Sequence, residues 1–195
     1  MIPCLDPHLS GGGYPQYILT NAARLNDDNE IDEHKFFSLY DKILNYWFPP
    51  TEGYNVCLKW FIPPKDCTIN VVIEHDHHPL LLIEIKPPSE FQSDPGRSIA
   101  INEVINHLDE IGPKNLHLDQ LYGISAVGKR WRACYILKGM NSESAQPVKG
   151  IAIKNSLGKW RSGHPECWNA DITSYASWAA LQKIVKTIKG YVAKQ

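Results

Sequence analysis

Hydrophobic residues follow two different spacings along this chain. Three segments place large apolar residues every three or four positions, which is the period of an amphipathic helix. Between them lie short runs rich in Val, Ile, Leu, Phe and Trp, which favour β-strands. The predicted helices cover about residues 31–48, 95–111 and 174–189, and the predicted strands cover 56–62, 68–74, 80–86, 121–127 and 131–137.

The predicted order is one helix, three strands, a helix, two strands, a polar loop and a final helix. A mixed sheet with helices on both faces is the simplest way to bury these apolar stripes, so we expect an α/β fold of the α+β type. Asp94 and Pro95 are typical of a helix start, and Gly190 is the predicted C-cap of the last helix. A further short strand is predicted at 150–153.

One domain is expected to contain the whole chain. Its 195 residues, 43% of them hydrophobic, are enough for one full core. Residues 1–30 have little apolar periodicity and are predicted to be an N-terminal arm that packs late or is partly mobile. We expect residues 31–138 to form the core and residues 139–195 to add a loop and a helix that pack on the same domain.

The charge balance gives no sign of a particular partner. Twenty basic residues face 21 acidic ones, so the net charge of −1 lacks the positive field of a typical nucleic-acid binder. We see no signal peptide and no stretch approaching 18 apolar residues, so we expect an intracellular protein, of the cytoplasm or nucleus, with no membrane partner. The five cysteines are widely spaced without a C-x-x-C pair, which indicates reduced thiols.

Two charged residues lie near the end of the most apolar strand. The stretch Pro79–Pro88 is bounded by prolines and rich in large aliphatic residues, yet it contains Glu84 and Lys86. The two-residue period of a strand places both side chains on the same face. Burying an unpaired charge costs several kcal/mol, so such residues are usually paired with an opposite charge, bound to a metal or used in catalysis.

The hairpin before this strand predicts what stands opposite Glu84. If the loop that joins the second and third strands is symmetrical about His77, Asn70, Glu84 and Lys86 share one face of the sheet. The predicted pairs are Glu74 with Leu80, Val72 with Leu82, and Asn70 with Glu84. The histidine-rich segment 74–78 lacks metal-ligand spacing and is interpreted as a solvated hairpin tip.

The E-x-K at the end of the third strand, after a hairpin and before a helix, resembles the PD-(D/E)XK superfamily of restriction-endonuclease-like nucleases. The resemblance covers residues 31–137. It implies a restriction-endonuclease-like core with a C-terminal helical extension, and a metal-dependent nuclease that hydrolyses DNA or RNA with magnesium or manganese. The strand also resembles one in uncharacterised fungal proteins, which implies a lineage and no activity.

The resemblance assigns roles to individual residues. It makes Glu84 a metal-binding acid, the carbonyl of Ile85 a further ligand, and Lys86 the catalytic lysine that positions or activates the attacking water. The helix after E-x-K often carries a polar residue that faces the site in such nucleases. Three residues of this chain fit that place, namely Asn102, Glu103 and Asn106. Of these we choose Glu103.

The chain departs from the superfamily at the second strand. Where an aspartate is expected, the predicted register places Asn70, whose amide oxygen is a neutral ligand and should bind magnesium more weakly. Other carboxylates that could replace it are Asp66, Glu74, and Glu33 or Asp41 of the first helix. Without one of them, Glu84 pairs with Lys86 and the chain is a catalytically inactive relative that binds nucleic acid or protein.

Two basic turns offer contacts for nucleic acid. They interleave cations with tryptophan, which suits phosphate contact and base stacking, although cationic turns also serve solubility and protect strand edges. The residues are Lys129, Arg130 and Arg132 in one turn and Lys159 and Arg161 in the other. Many nucleases of this class dimerise, so the chain is also a candidate homodimer.

Overall fold

Four α-helices and six β-strands make up the described part of the chain. The structure is a computed structural model that describes residues 13–25, 32–62, 67–111, 116, 118–140, 145–148, 165–169 and 171–194. The helices are α1 (Gln16–Ala23), α2 (His34–Trp47), α3 (Asp94–Ile111) and α4 (Tyr175–Val192). The strands are β1 (Tyr54–Ile62), β2 (Cys67–His75), β3 (His78–Lys86), β4 (Gln120–Val127), β5 (Arg130–Leu137) and β6 (Gln146–Pro147).

The six strands form a single mixed sheet in chain order, β1-β2-β3-β4-β5-β6. Strands β3 and β4 run parallel and are joined through α3, whereas the other neighbouring strands are antiparallel. Strand β3 is therefore central, and six consecutive residues, Leu80–Ile85, are buried. A strand covered on both faces reads as a continuous apolar run, which explains why this stretch was so distinctive in the sequence.

Helices cover both faces of the sheet. Leu81, Ile83 and Ile85 of β3 pack in a large core together with residues of α1, α2 and α4. Leu82 points the other way, into a smaller core that it shares with Val104 and other residues of α3. The prediction of a mixed sheet between helical layers is confirmed. None of the described helices is long and apolar enough to cross a membrane.

The sequence-based prediction missed α1. Residues 16–23 of the predicted arm form this helix, and Tyr14 and Ile18 are buried in the large core. The ring of Tyr14 meets those of Tyr46 and Trp47 edge to face, with centroids 5.8 and 6.3 Å away. Eight residues give too few turns for a clear helical period, so only the tertiary contacts identify this element.

The C-terminal helix extends beyond its predicted end. Gly190 is not a C-cap, because α4 continues to Val192. The hydroxyl of Tyr191 accepts a hydrogen bond of 2.9 Å from the side chain of Gln120 on β4, which anchors the last turn to the sheet. This contact outweighs the weak helix propensity of glycine. The strand predicted at 150–153 lies outside the described residues.

The β2–β3 hairpin keeps most of its predicted register through two compensating irregularities. Val72 pairs with Leu82 as predicted, but Glu74 pairs with Pro79 rather than Leu80. Asp76 and His77 have φ of 49° and 64°, so they form a two-residue turn that is shorter than the expected loop. A register shift at Ile73/Glu74 restores the predicted pairing nearer to Asn70.

Candidate functional site

The carboxylate of Glu84 is the buried centre of the site. Its side chain is only 1% exposed, near the carboxyl end of β3. Its Oε1 lies 3.1 Å from Nε2 of His107 and accepts a hydrogen bond of 3.2 Å from the backbone N–H of Asn70. The charge at the end of this apolar strand therefore contacts protein groups and does not emerge into solvent.

Helix α3 supplies one side chain to this carboxylate, His107, and a second, Glu103, to the neighbouring Lys86. Glu103 and His107 are four residues apart and so lie on the same face of the helix, one turn from each other. Oε2 of Glu103 is 2.6 Å from Nζ of Lys86, and Nδ1 of His107 is 3.0 Å from Oε2 of Glu110. The result is a chain of contacts that links the E-x-K strand to the helix that follows it.

Close packing of α3 on β4 brings these residues to the strand. A Cβ at Gly123 would lie only 2.5 Å from Cγ1 of Val104, so the absence of a side chain there lets the helix approach the sheet. The hydroxyl of Ser125, the neighbour of Glu84 on β4, donates a hydrogen bond of 2.8 Å to the carbonyl of Ala100. Both features fix the height of α3 above the carboxylate.

Asn70 lies where β2 and β3 separate, and it positions the strand next to Glu84. The backbone pairing of the two strands extends as far as Val71 and Ile83. Beyond that pair, the N–H of Ile85 donates to Oδ1 of Asn70 at 2.6 Å. Asn70 therefore contacts Glu84 through its N–H, although the predicted pair of the two residues is not part of the strand pairing, and its amide oxygen holds the backbone of β3.

Burial and neighbouring charges shift the pKa values of this cluster. Burial raises the pKa of Glu84, although the hydrogen bond and charge of His107 oppose the shift. Burial lowers the pKa of His107, but contacts with Glu84 and Glu110 outweigh it and leave the pKa raised. Burial also lowers the pKa of Lys86, but Glu103, Glu84 and Glu33 together raise it, so the ammonium stays charged.

Three side chains of the cluster have the arrangement of metal ligands. One ligand atom each from Glu84, Glu103 and His107 lies within 4.8 Å of the other two. Ligands at about 2–2.6 Å from a shared cation can be separated by such distances. Two carboxylate oxygens and one imidazole nitrogen are suitable donors for a divalent cation, so the residues fit a metal.

The other carboxylates named from the sequence have different positions. Glu33 lies at the N-terminus of α2, and its negative charge contributes to the raised pKa of Lys86. Asp41 accepts a hydrogen bond from Asn45 within α2, and Glu74 accepts one of 2.7 Å from Trp60 on β1. Asp66 lies outside the described residues.

Helix α3 presents Glu103 to the site, whereas Asn102 and Asn106 are exposed. His107 was not predicted from the sequence. The available signal was its position four residues after Glu103, between apolar positions of the stripe that faces the sheet. A histidine on such a face is usually a satisfied core residue, and only its distance from Glu84 distinguishes it here.

The first basic turn is less exposed than the sequence suggested. Arg132 is 6% exposed, and its guanidinium lies 5.7 Å from the ring centre of Trp168, so the expectation of a surface cation fails at this residue. Its pairing with Ser125 places it on the face covered by α3, where burial lowers its pKa to about 10.

The neighbours of Arg132 in this turn are also engaged with the protein. Arg130 stacks 4.5 Å from the ring centre of Phe91, and Nζ of Lys129 donates to the carbonyl of Leu25 at 3.3 Å. Lys159 and Arg161, the cations of the second turn, lie outside the described residues.

Comparisons with known proteins leave the family open. No model of a protein family matches the chain, and no curated protein and no solved structure matches it.

Proposed function

We propose that this protein is a divalent-metal-dependent hydrolase of phosphodiester bonds in DNA or RNA, with a nuclease-like core of the PD-(D/E)XK type. One observation carries the proposal. Glu84 and Lys86, the two charged residues of the central strand, meet a second carboxylate, Glu103, on the helix that follows. The resemblance implies Glu84, Lys86 and a polar residue on this helix, and in the proposal Glu103 takes the place of the second-strand acid that this chain lacks at Asn70.

The order of elements supports the same assignment. From α2 to β5 the chain runs helix, three strands, helix and two strands, and the E-x-K lies on the third strand of that series. The following helix, α3, returns over the strand and provides the polar residues that face it. This order supports the proposal, because the resemblance expects the short motif on a third strand, after a hairpin and before a helix.

Each residue of the cluster has a chemical role in this proposal. Glu84, Glu103 and His107 would hold the cation, which would supply Lewis acidity toward a phosphate oxygen and lower the pKa of a bound water. The Lys86 ammonium stabilises negative charge that develops on the phosphoryl oxygens during attack. Its contact with Glu103 sets the position of the ammonium beside the metal ligands.

A second candidate is a catalytically inactive relative that binds nucleic acid or protein, as a monomer or homodimer. Asn70 favours it, because this residue brings no charge and its amide oxygen is already bonded to the backbone of Ile85. The ion pairs Lys86–Glu103 and Glu84–His107 also balance charge within the cluster. Such a polar cluster can hold α3 in register on the sheet without any reaction.

Cleavage assays decide between the two candidates. The purified chain is incubated with single- and double-stranded DNA and RNA in the presence of magnesium, manganese or zinc. We expect metal-dependent cleavage that falls by about a hundredfold or more in Glu84→Gln and Lys86→Ala. The matched controls are Asp109→Asn and Lys183→Ala, which remove exposed charges from α3 and α4 and should keep full activity.

Two results would contradict the proposal. Cleavage that persists unchanged in both site variants assigns the activity to another place or to a contaminant. Absence of cleavage on all four substrates favours the inactive candidate, and recovery of cleavage in Asn70→Asp would show that a single missing charge is the reason. Circular dichroism of each variant excludes loss of the fold as the cause.

A further inference from the structure

We infer that the cluster of Glu84, Glu103 and His107 is a mixed nitrogen–oxygen site that selects a first-row transition cation, with zinc or manganese preferred over magnesium. The inference deepens the proposed function, on which it rests for the use of the cation in hydrolysis. The resemblance implies a site made of oxygen ligands for magnesium. The imidazole of His107 changes that donor set.

The donors themselves favour a transition cation. Magnesium prefers six oxygen ligands and keeps several of its waters, whereas imidazole is a good ligand for zinc and for other late first-row cations. Two carboxylates also balance the charge of one divalent cation. Three protein ligands leave further positions for water or substrate, which is the arrangement of catalytic rather than structural metal sites.

The surroundings of His107 orient its ring for this role. Nδ1 lies 3.0 Å from Oε2 of Glu110, while Nε2 lies 3.1 Å from Oε1 of Glu84. A carboxylate on the far nitrogen fixes the tautomer of a ligating histidine and increases its basicity. Glu110 is therefore a positioning residue, and it acts on the cation only through the imidazole.

The cluster is also rigid enough to discriminate between cations. Glu84 and His107 are nearly fully buried, and α3 is fixed over β4 by the glycine at position 123 and the Ser125–Ala100 hydrogen bond. Nζ of Lys86 lies 2.6 Å from Oε2 of Glu103. Because a carboxylate has two oxygens, Glu103 can keep this contact and offer its other oxygen to a cation.

Calorimetric titration of the metal-free chain with zinc, manganese and magnesium tests the inference. We expect one site per chain, with zinc binding most tightly and magnesium at least about tenfold more weakly than manganese. His107→Gln removes the imidazole but keeps a polar side chain, and it should lower zinc affinity by about a hundredfold or more while changing magnesium affinity little. Glu84→Gln should abolish binding of all three.

Glu110→Gln tests the positioning role. The amide oxygen can still accept a hydrogen bond from Nδ1, but the negative charge is gone, so zinc affinity should fall by about 10–100-fold and the zinc-to-magnesium affinity ratio should fall with it. A purely structural role would leave that ratio unchanged. Asp109→Asn removes an exposed charge from the adjacent position of the helix and should leave every affinity unchanged.

The histidine-rich hairpin turn at 75–78 is intact in all of these variants, so zinc that it binds appears as a constant background. Magnesium binding as tight as manganese binding, or zinc binding unaffected by His107→Gln, would overturn the inference. The results of these titrations can be distinguished from those of the cleavage assays. Selective zinc or manganese binding without cleavage refutes the proposed activity alone, whereas magnesium-dependent cleavage that survives His107→Gln refutes the transition-metal site alone.

Discussion

Replacement of Glu84 tests whether the buried cluster holds the fold together. The side chain is 1% exposed and contacts both His107 and the N–H of Asn70. Glu84→Ala leaves both partners buried without their acceptor, and breaking such a buried pair costs about 3–5 kcal/mol. Since a domain of ordinary stability unfolds with about 5–15 kcal/mol, we expect a large fraction of the stability to be lost.

The amide variant separates charge from shape at the same position. Glu84→Gln keeps an oxygen that can accept the hydrogen bond of Asn70 and can stay close to His107, so we expect a loss of only about 1–2 kcal/mol from the missing charge. The free energy of unfolding is measured by urea denaturation with tryptophan fluorescence, without added metal. Equal slopes with denaturant are required for the comparison, and Asp109→Asn, at an exposed position, should change stability by less than about 0.5 kcal/mol.

The result that refutes this reasoning is specific. If Glu84→Ala lowers the free energy of unfolding by less than about 1 kcal/mol with an unchanged slope, the carboxylate is not a buried partner of His107 in solution. An alanine variant as stable as the glutamine variant would also contradict the geometry, because only glutamine retains the acceptor.

Two further predictions concern pH and the packing of α3. The pKa values of Glu84 and His107 are raised above 4.5 and 6.5, so the folded chain keeps protons that the unfolded chain has released. Without metal, the free energy of unfolding should therefore fall as the pH rises above 4.5 through the raised pKa of Glu84, and again above 6.5 through the raised pKa of His107, where His107→Gln should show a smaller slope. Urea titrations that show a rise would contradict this. Gly123→Ala places a Cβ 2.5 Å from Val104 and should cost about 1–2 kcal/mol, because overpacking exceeds the gain of about 0.4–1 kcal/mol from restricting the unfolded chain. Equal or greater stability of that variant would show that α3 can shift without cost.

Periodicity located the long elements because burial on one face imposes a repeat that is visible along the chain. Helices α2, α3 and α4 and the central strands were predicted to within a few residues of their observed bounds. The turn and bulge of the β2–β3 hairpin were not predicted, yet their effects cancel, so Asn70 still approaches Glu84. Helix α1 escaped detection because eight residues give too few turns for a clear period, and the ring contacts of Tyr14, just before it, come from a distant part of the chain.

The sequence alone determined that Glu84 and Lys86 lie on the same face of a buried strand, because backbone geometry fixes the two-residue period of a strand. It also determined that a helix with Glu103 follows them. Only the tertiary structure decided that His107 contacts Glu84, that Arg132 is buried beside Trp168, and that Glu33 is near enough to affect Lys86. The physical reason is that periodicity records which face of an element is buried, whereas the identity of the group opposite depends on how closely and at what height two elements pack.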